Sequence, residues 1–99
     1  MPYFIFHGYD RAGADRLRAV ERQRHRDHLG SGAFGVSVVA GGMTLSGDED
    51  AVTGSLLILS GETREAVVRF IDLDPYLRAG VFERYELDKW DWGIGAPGH

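Results

Sequence analysis

The sequence contains no cysteine among its 99 residues, so neither a disulfide nor a thiolate metal site can brace the fold. No apolar run approaches the about 20 residues that a membrane-spanning helix needs. Residues Met1 to His7 lack the cationic start and apolar stretch of a secretory signal, and a cytoplasmic protein is expected. Excess positive charge is missing too. Eleven Lys and Arg stand against 15 Asp and Glu, for a formal net charge of −4, and the basic residues are spread rather than pooled into the stripe a phosphate backbone requires. Neither nucleic acid nor a membrane is expected as a partner.

What is present is enough for one small core, with 43% of residues apolar. A chain this short buries only about 60–65% of its unfolded surface. Without disulfides or metal, self-association is the simplest way to add buried area. One domain over residues 1–92 is expected, followed by a flexible glycine- and proline-containing tail over 93–99 that orders only where it docks.

Tyr3-Phe4-Ile5-Phe6-His7 is short, aromatic and β-branched and stops at Gly8-Tyr9-Asp10, which predicts a strand with both faces buried. From about Ala14 to Gly30 the periodicity becomes helical, with Leu17, Val20, His28 and Leu29 on one side. Gly30, Gly32 and Gly35 stop that helix, Val36 to Ala40 reads as a second strand ended by Gly41-Gly42, and Ser46 to Asp50 reads as a solvated acidic loop. A third strand covers Thr53 to Leu59, with Ser55, Leu57 and Leu59 on one face. Thr63 is the expected N-cap of a second helix whose buried stripe is Ala66, Val67, Phe70 and Ile71 and which ends before Pro75. Val81 to Leu87 forms the last strand. The order is β-α-β-β-α-β, an α+β ferredoxin-like fold with two helices on one face of a four-stranded antiparallel sheet. The uncovered face carries apolar residues as well, so a second copy of the chain is the expected cover, giving a homodimeric α/β barrel.

Two groups of residues can carry chemistry. Measured from Leu17 at about 100° per residue, His25 falls near about 80° and His28 near about 20°, so both imidazoles face the sheet or its margin. Imidazole is the side chain most readily poised for proton transfer near neutral pH, and a neighbouring carboxylate would fix its tautomer. Satisfaction by a backbone carbonyl is the plainer alternative. The spacing of His25 and His28 would also suit a metal, with His7 as a third ligand, but no further Cys or His supports one, and no metal or other cofactor is expected. The second group is Asp72-Leu73-Asp74-Pro75-Tyr76, where proline holds Asp74 extended at a rigid corner. That carboxylate can serve a site or simply bond local amides as an Asx turn. Ser55 has no nucleophile elbow around it and is better suited to hydrogen-bonding a ligand. The glycine pairs lack phosphate-loop spacing.

Gly8-Tyr9-Asp10, Arg22-x-x-His25, Ala40-Gly41, Thr53-Gly54-Ser55, Asp74-Pro75-Tyr76 and Ala79-Gly80-Val81-Phe82, in this order and spacing, resemble the YciI-like (YCII-related) family from about Tyr3 to Trp90. The resemblance implies a ferredoxin-like fold that dimerises as an α/β barrel around a cleft with a catalytic His and Asp pair. By motif these are His25 and Asp74, with Arg22 and Ser55 on neighbouring positions that would bind substrate and His28 as a further binding candidate. Family activity is mostly unassigned. Dehydrochlorination of a chlorinated hydroxyquinol is one example, which implies acid–base chemistry such as elimination or isomerisation on a small organic molecule. The chain departs from the family pattern at Gly42, where the family has proline, and in a helix-to-strand connection about one residue short near Gly30 to Gly35.

The residues leave other classes open. The same cleft would serve a binding module that holds a metabolite without chemistry, with the acidic loop Asp48-Glu49-Asp50 and the tail Trp90-Asp91-Trp92 available to a partner protein. A dimeric scaffold whose polar motifs only complete hydrogen bonds is the third reading.

Overall fold

Alternation along the first strand sets the layers of the molecule. In a computed structural model that describes residues 1–48 and 50–97, Phe4 and Phe6 are buried while Tyr3, Ile5 and His7 between them are half-buried. Glu49 of the acidic loop and Gly98 and His99 of the tail lie outside the described residues. The elements are β1 (Tyr3–Asp10), α1 (Asp15–Leu29), a single 3₁₀ turn (Ala33–Gly35), β2 (Ser37–Leu45), β3 (Val52–Ser60), α2 (Arg64–Asp72), α3 (Pro75–Arg78) and β4 (Phe82–Trp90). The strands lie in the order β2-β3-β1-β4, each pair antiparallel. This is the expected α+β, ferredoxin-like βαββαβ architecture, with the short α3 added.

The core joins Phe4, Phe6, Leu57 and Leu59 from the sheet to Val67, Phe70 and Ile71 from α2 and Tyr76 from α3. Each such side chain contributes about 1.5–3 kcal/mol on burial. Helix α2 starts where expected, because Thr63 is extended and its Oγ1 accepts the Ala66 N–H at 3.1 Å. Helix α1 turns Leu17, His25, His28 and Leu29 inward as expected, but not Val20. Val20 is 62% exposed, and the buried line is Ala14, Arg18 and His25. A count of apolar residues scores Arg18 as surface, whereas an acidic partner on β1 draws it inward.

Two strands run past the glycines that were expected to end them, and a third runs past its expected end at Leu87. β1 continues through Gly8 to Asp10, β2 crosses Gly41-Gly42 to reach Leu45, and β4 extends to Trp90. Glycine marks close approach here, not a turn. A methyl group on Gly8 would lie 2.7 Å from the Phe82 ring, and one on Gly54 would run into the Gly8 carbonyl oxygen. β2 lies at the sheet edge, where the weak strand preference of Gly41-Gly42 is tolerated. The short connection after α1 is closed by left-handed residues, Gly32, Phe34 and Gly35, with φ of 68°, 57° and 72°.

Bulges then re-aim two strands. Arg84 pairs with Tyr9 but Phe82 pairs with Asp10, so Glu83 is the extra residue and Phe82 turns to the helix side. On β2, Val39 is the extra residue between Val38, opposite Leu59, and Ala40, opposite Ile58.

Among the described residues no helix covers the other sheet face. It carries Tyr3, Ile5, His7, Tyr9, Leu56, Ile58 and Trp90. At one end Trp92 docks, edge-on to Tyr3 at 5.7 Å and to Trp90 at 4.6 Å between ring centroids. At the other end the Tyr9 hydroxyl donates to Glu86 at 2.7 Å, and that bond holds the phenol above its ordinary pKa while the Arg84 guanidinium stacks on the ring. The accessible surface is 6200 Å², against about 5600 Å² for a typical monomer of this mass. No helix among the described residues is long and apolar enough to cross a membrane.

Gly54→Ala is expected to destabilise the fold by about 1–3 kcal/mol or more, because a backbone oxygen has to give way. Gly42→Ala, where a methyl would meet nothing within 4 Å, is expected to change stability by less than about 0.5 kcal/mol. Urea unfolding of the two variants checks both values.

Candidate functional site

Helix α1 stands off the β2–β3 half of the sheet and leaves a cavity of about 710 Å³, within the usual range for small-molecule sites. The α1 wall presents Asp15, Arg18, Arg22, His25, Arg26 and Leu29, and the facing wall is largely apolar, with Val38, Met43 and Leu57. Gly41 adds no side chain to the floor, and Ala51, Val52, Ser55 and Tyr76 also line the cavity.

The deepest charged group is Arg18, whose side chain is 6% exposed. It donates from Nε and Nη2 to the two oxygens of Asp10, at 2.7 and 2.8 Å, and again from Nη2 to Ser55 Oγ at 2.9 Å. Burial works against the charge. The bonds and charge of Asp10, with a smaller contribution from Tyr76, outweigh it and hold the guanidinium above its ordinary pKa. The Tyr76 and Phe82 rings support the guanidinium carbon at 5.1 and 5.8 Å. Its Nη1 makes no hydrogen bond within the described residues. Ser55 accepts from Arg18, so its own O–H remains to donate.

One helix face carries the next group. His25, two turns after Arg18, is buried, and its Nδ1 lies 2.7 Å from Asp74 Oδ1. A carboxylate only accepts, so Nδ1 carries the proton and the neutral ring has its lone pair on Nε2. Among the described residues Nε2 has no hydrogen-bond partner, and the ring lines the cavity. Asp74 is held from two sides. It is the N-cap of α3, extended before Pro75, and the same Oδ1 accepts the Tyr76 N–H at 2.9 Å. The Tyr76 ring then stacks on His25, 3.7 Å between centroids and 5° from parallel, while its hydroxyl donates to the Arg18 carbonyl at 3.2 Å. Asp74 therefore makes its Asx-type cap and the imidazole contact at once.

The structure thus brings His25, Asp74, Ser55 and Arg22 to one cavity, with Asp74 behind the imidazole. His28 lies elsewhere. Its Nε2 is 2.6 Å from the Phe70 carbonyl and its ring stacks on Phe70 at 4.3 Å, which ties α1 to α2 outside the cavity wall. His7 stacks on Tyr9 on the uncovered sheet face. Among the described residues no group of three or more His, Asp or Glu is arranged to hold a metal ion.

Sequence reasoning assigned no role to Arg18, Asp10 or Tyr76. The signal was there for Arg18, which with Arg22, His25 and Leu29 falls at i, i+4, i+7 and i+11 on one helix face. Asp10 and Tyr76 stand inside the motifs Gly8-Tyr9-Asp10 and Asp74-Pro75-Tyr76.

Known proteins share this fold to different degrees. A 5-chloro-2-hydroxyhydroquinone dehydrochlorinase from Burkholderia phenoliruptrix, solved in complex with 2,5-dihydroxybenzoquinone, superposes with a TM-score of 0.77 at 29% identity, over 92% of this chain and 95% of that one. A cofactor-independent oxygenase from Streptomyces nogalater has a TM-score of 0.55 at 10% identity, over 98% of this chain and 97% of that one. An Arabidopsis thaliana protein has a TM-score of 0.57 at 11% identity, over 97% and 99% of the two chains. The last two show a common fold alone. No curated protein sequence matches the chain. The sequence profile of the YCII-related domain matches residues 1–91, and the chain belongs to that family.

Proposed function

We propose that this chain is an enzyme that performs acid–base chemistry on a small organic molecule in the cytoplasm. The supporting observation is the buried 2.7 Å contact between His25 Nδ1 and Asp74 Oδ1, which leaves Nε2 as the basic nitrogen on the cavity wall. In this reading His25 Nε2 takes a proton from a substrate C–H or O–H. The released electron pair moves onto a carbonyl oxygen or expels a leaving group such as chloride. The imidazolium, supported by Asp74, then returns the proton to another atom in an isomerisation or passes it to water after an elimination. The Ser55 hydroxyl and Arg18 Nη1 are placed to donate to an oxygen that gains charge. Arg22 holds substrate at the rim. His28, committed to the Phe70 carbonyl, has no part. The dehydrochlorinase relative, whose named reaction is an elimination, favours this class.

A homodimer is part of the proposal. The uncovered face with Ile5, Ile58 and the aromatic end is the surface a second copy would bury, and the excess of accessible surface over a typical monomer is in keeping with an interface of modest size.

Incubation with 5-chloro-2-hydroxyhydroquinone and related quinones and lactones, read by chloride release and product mass, is expected to reveal turnover. His25→Gln and Asp74→Asn are expected to lower kcat by about 10²–10⁴. Full turnover in His25→Gln would remove the assignment, and saturable binding with the ligand recovered unchanged would favour a binding protein.

Light scattering is expected to give a mass twice the 11.0 kDa of the chain. Ile5→Asp with Ile58→Asp is expected to return it to the monomer, and a monomeric mass for the unaltered chain at micromolar concentration would dismiss the dimer.

A further inference from the structure

We infer that the substrate of this site is an organic anion, bound with one oxygen at the Arg18–Ser55 floor and a carboxylate or similar planar anionic group between Arg22 and Arg26 at the mouth. The inference rests on the cavity being the substrate site, as proposed above, and adds the substrate class.

Arg22 and Arg26 are exposed, four residues apart, and both line the cavity. Like charges at that spacing repel, and among the described residues neither is within ion-pair distance of a carboxylate. The other charged groups of the site are accounted for. Asp10 is neutralised by Arg18, and Asp74 sits behind His25. Asp15 is the one carboxylate on the lining, and it lies seven residues before Arg22, about 10 Å along the helix at about 1.5 Å per residue. The cavity is therefore polarised along α1, and its cationic end is at Arg22 and Arg26 in a chain with a net charge of −4. Such a local reversal of sign draws anions into a cleft with low-dielectric walls.

The buried end supplies the second anchor. Arg18 is more than nine-tenths buried, yet its Nη1 has no partner within the described residues and the residue lines the cavity. A ligand oxygen satisfies that donor and the free Ser55 O–H together. Arg18 and Arg22 are four residues apart, about 6 Å of helix rise, which is comparable to the distance between oxygen substituents on opposite corners of a six-membered carbon ring. The opposite wall, with Met43 and Leu57, offers the ring an apolar face. Two guanidinium groups at the mouth suit the planar, two-oxygen geometry of a carboxylate.

The test compares 2,5-dihydroxybenzoate with its uncharged methyl ester, titrated into the full-length protein and followed by NMR, including the ring resonances of His25. The acid is expected to bind about tenfold more tightly than the ester, and the advantage is expected to shrink as salt rises. Arg22→Gln with Arg26→Gln is expected to bring the acid-to-ester ratio to about one, and the charge-retaining Arg22→Lys with Arg26→Lys to restore part of it. Both positions are exposed on α1, so these variants leave the core untouched. If acid and ester bind alike and both shift His25, the anion inference is overturned while the site reading stands. An acid preference that persists in the double Gln variant also overturns it. If neither probe shifts His25, the site reading falls and the inference with it.

Discussion

A guanidinium with 6% of its side chain exposed is a buried charge that a fold tolerates only where a carboxylate meets it at hydrogen-bond distance, and most of this molecule is arranged around that requirement. Asp10 supplies the carboxylate from the end of β1, Ser55 a further acceptor from β3, and Tyr76 and Phe82 the rings beneath, from α3 and β4. Four other elements converge on Arg18 of α1. Each contributes a specific contact, so the rotation of α1 about its axis follows from Arg18 rather than from its sparse apolar residues. That rotation puts Val20 in solvent and His25 against Asp74.

The same constraint explains the irregularities of the sheet. Phe82 reaches the helix side only because Glu83 is bulged out, and it lies flat over β1 only because residue 8 is glycine. A regular β4 would turn Phe82 to the open face and leave the guanidinium without part of its support. The bulge and the glycine are thus steps in building the cavity floor, which is where departures from ideal strand geometry are commonly found.

This accounts for what was legible in the sequence and what was not. Element order, the Thr63 cap and the core stripe of α2 follow from periodicity and local chemistry, and the fold class follows from their order. His25 and Asp74 were legible as candidates from an inward helix face and a proline-fixed corner, with plainer alternatives for each, and it was the resemblance of the motifs that joined them as a pair. Strand ends were misread at Gly8 and at Gly41-Gly42, since a glycine that admits a neighbouring ring or side chain looks the same in sequence as one that makes a turn. Arg18 shares the helix face of His25, yet a count of apolar residues scores it as surface, because its burial depends on Asp10, Ser55 and Tyr76 together. For His28 the plainer reading, a bond to a backbone carbonyl, is the one the structure supplies at Phe70.

The geometry around Asp74 lets stability and the proposed reactivity share atoms. Its Oδ1 caps α3 through the Tyr76 N–H and accepts from His25 Nδ1, while the Tyr76 ring lies parallel to the imidazole at 3.7 Å. The imidazole is held at an edge by the carboxylate and over a face by the ring, so a ring flip breaks the carboxylate contact and a rotamer change breaks both. A base held in this way keeps Nε2 on the cavity wall without reorganising when charge develops, which is the condition under which a positioned proton acceptor is most effective. Replacing Tyr76 would loosen the ring while leaving the carboxylate in place. The cap, the stack and the dyad form one unit, and α3, only four residues long, exists in the fold to carry it.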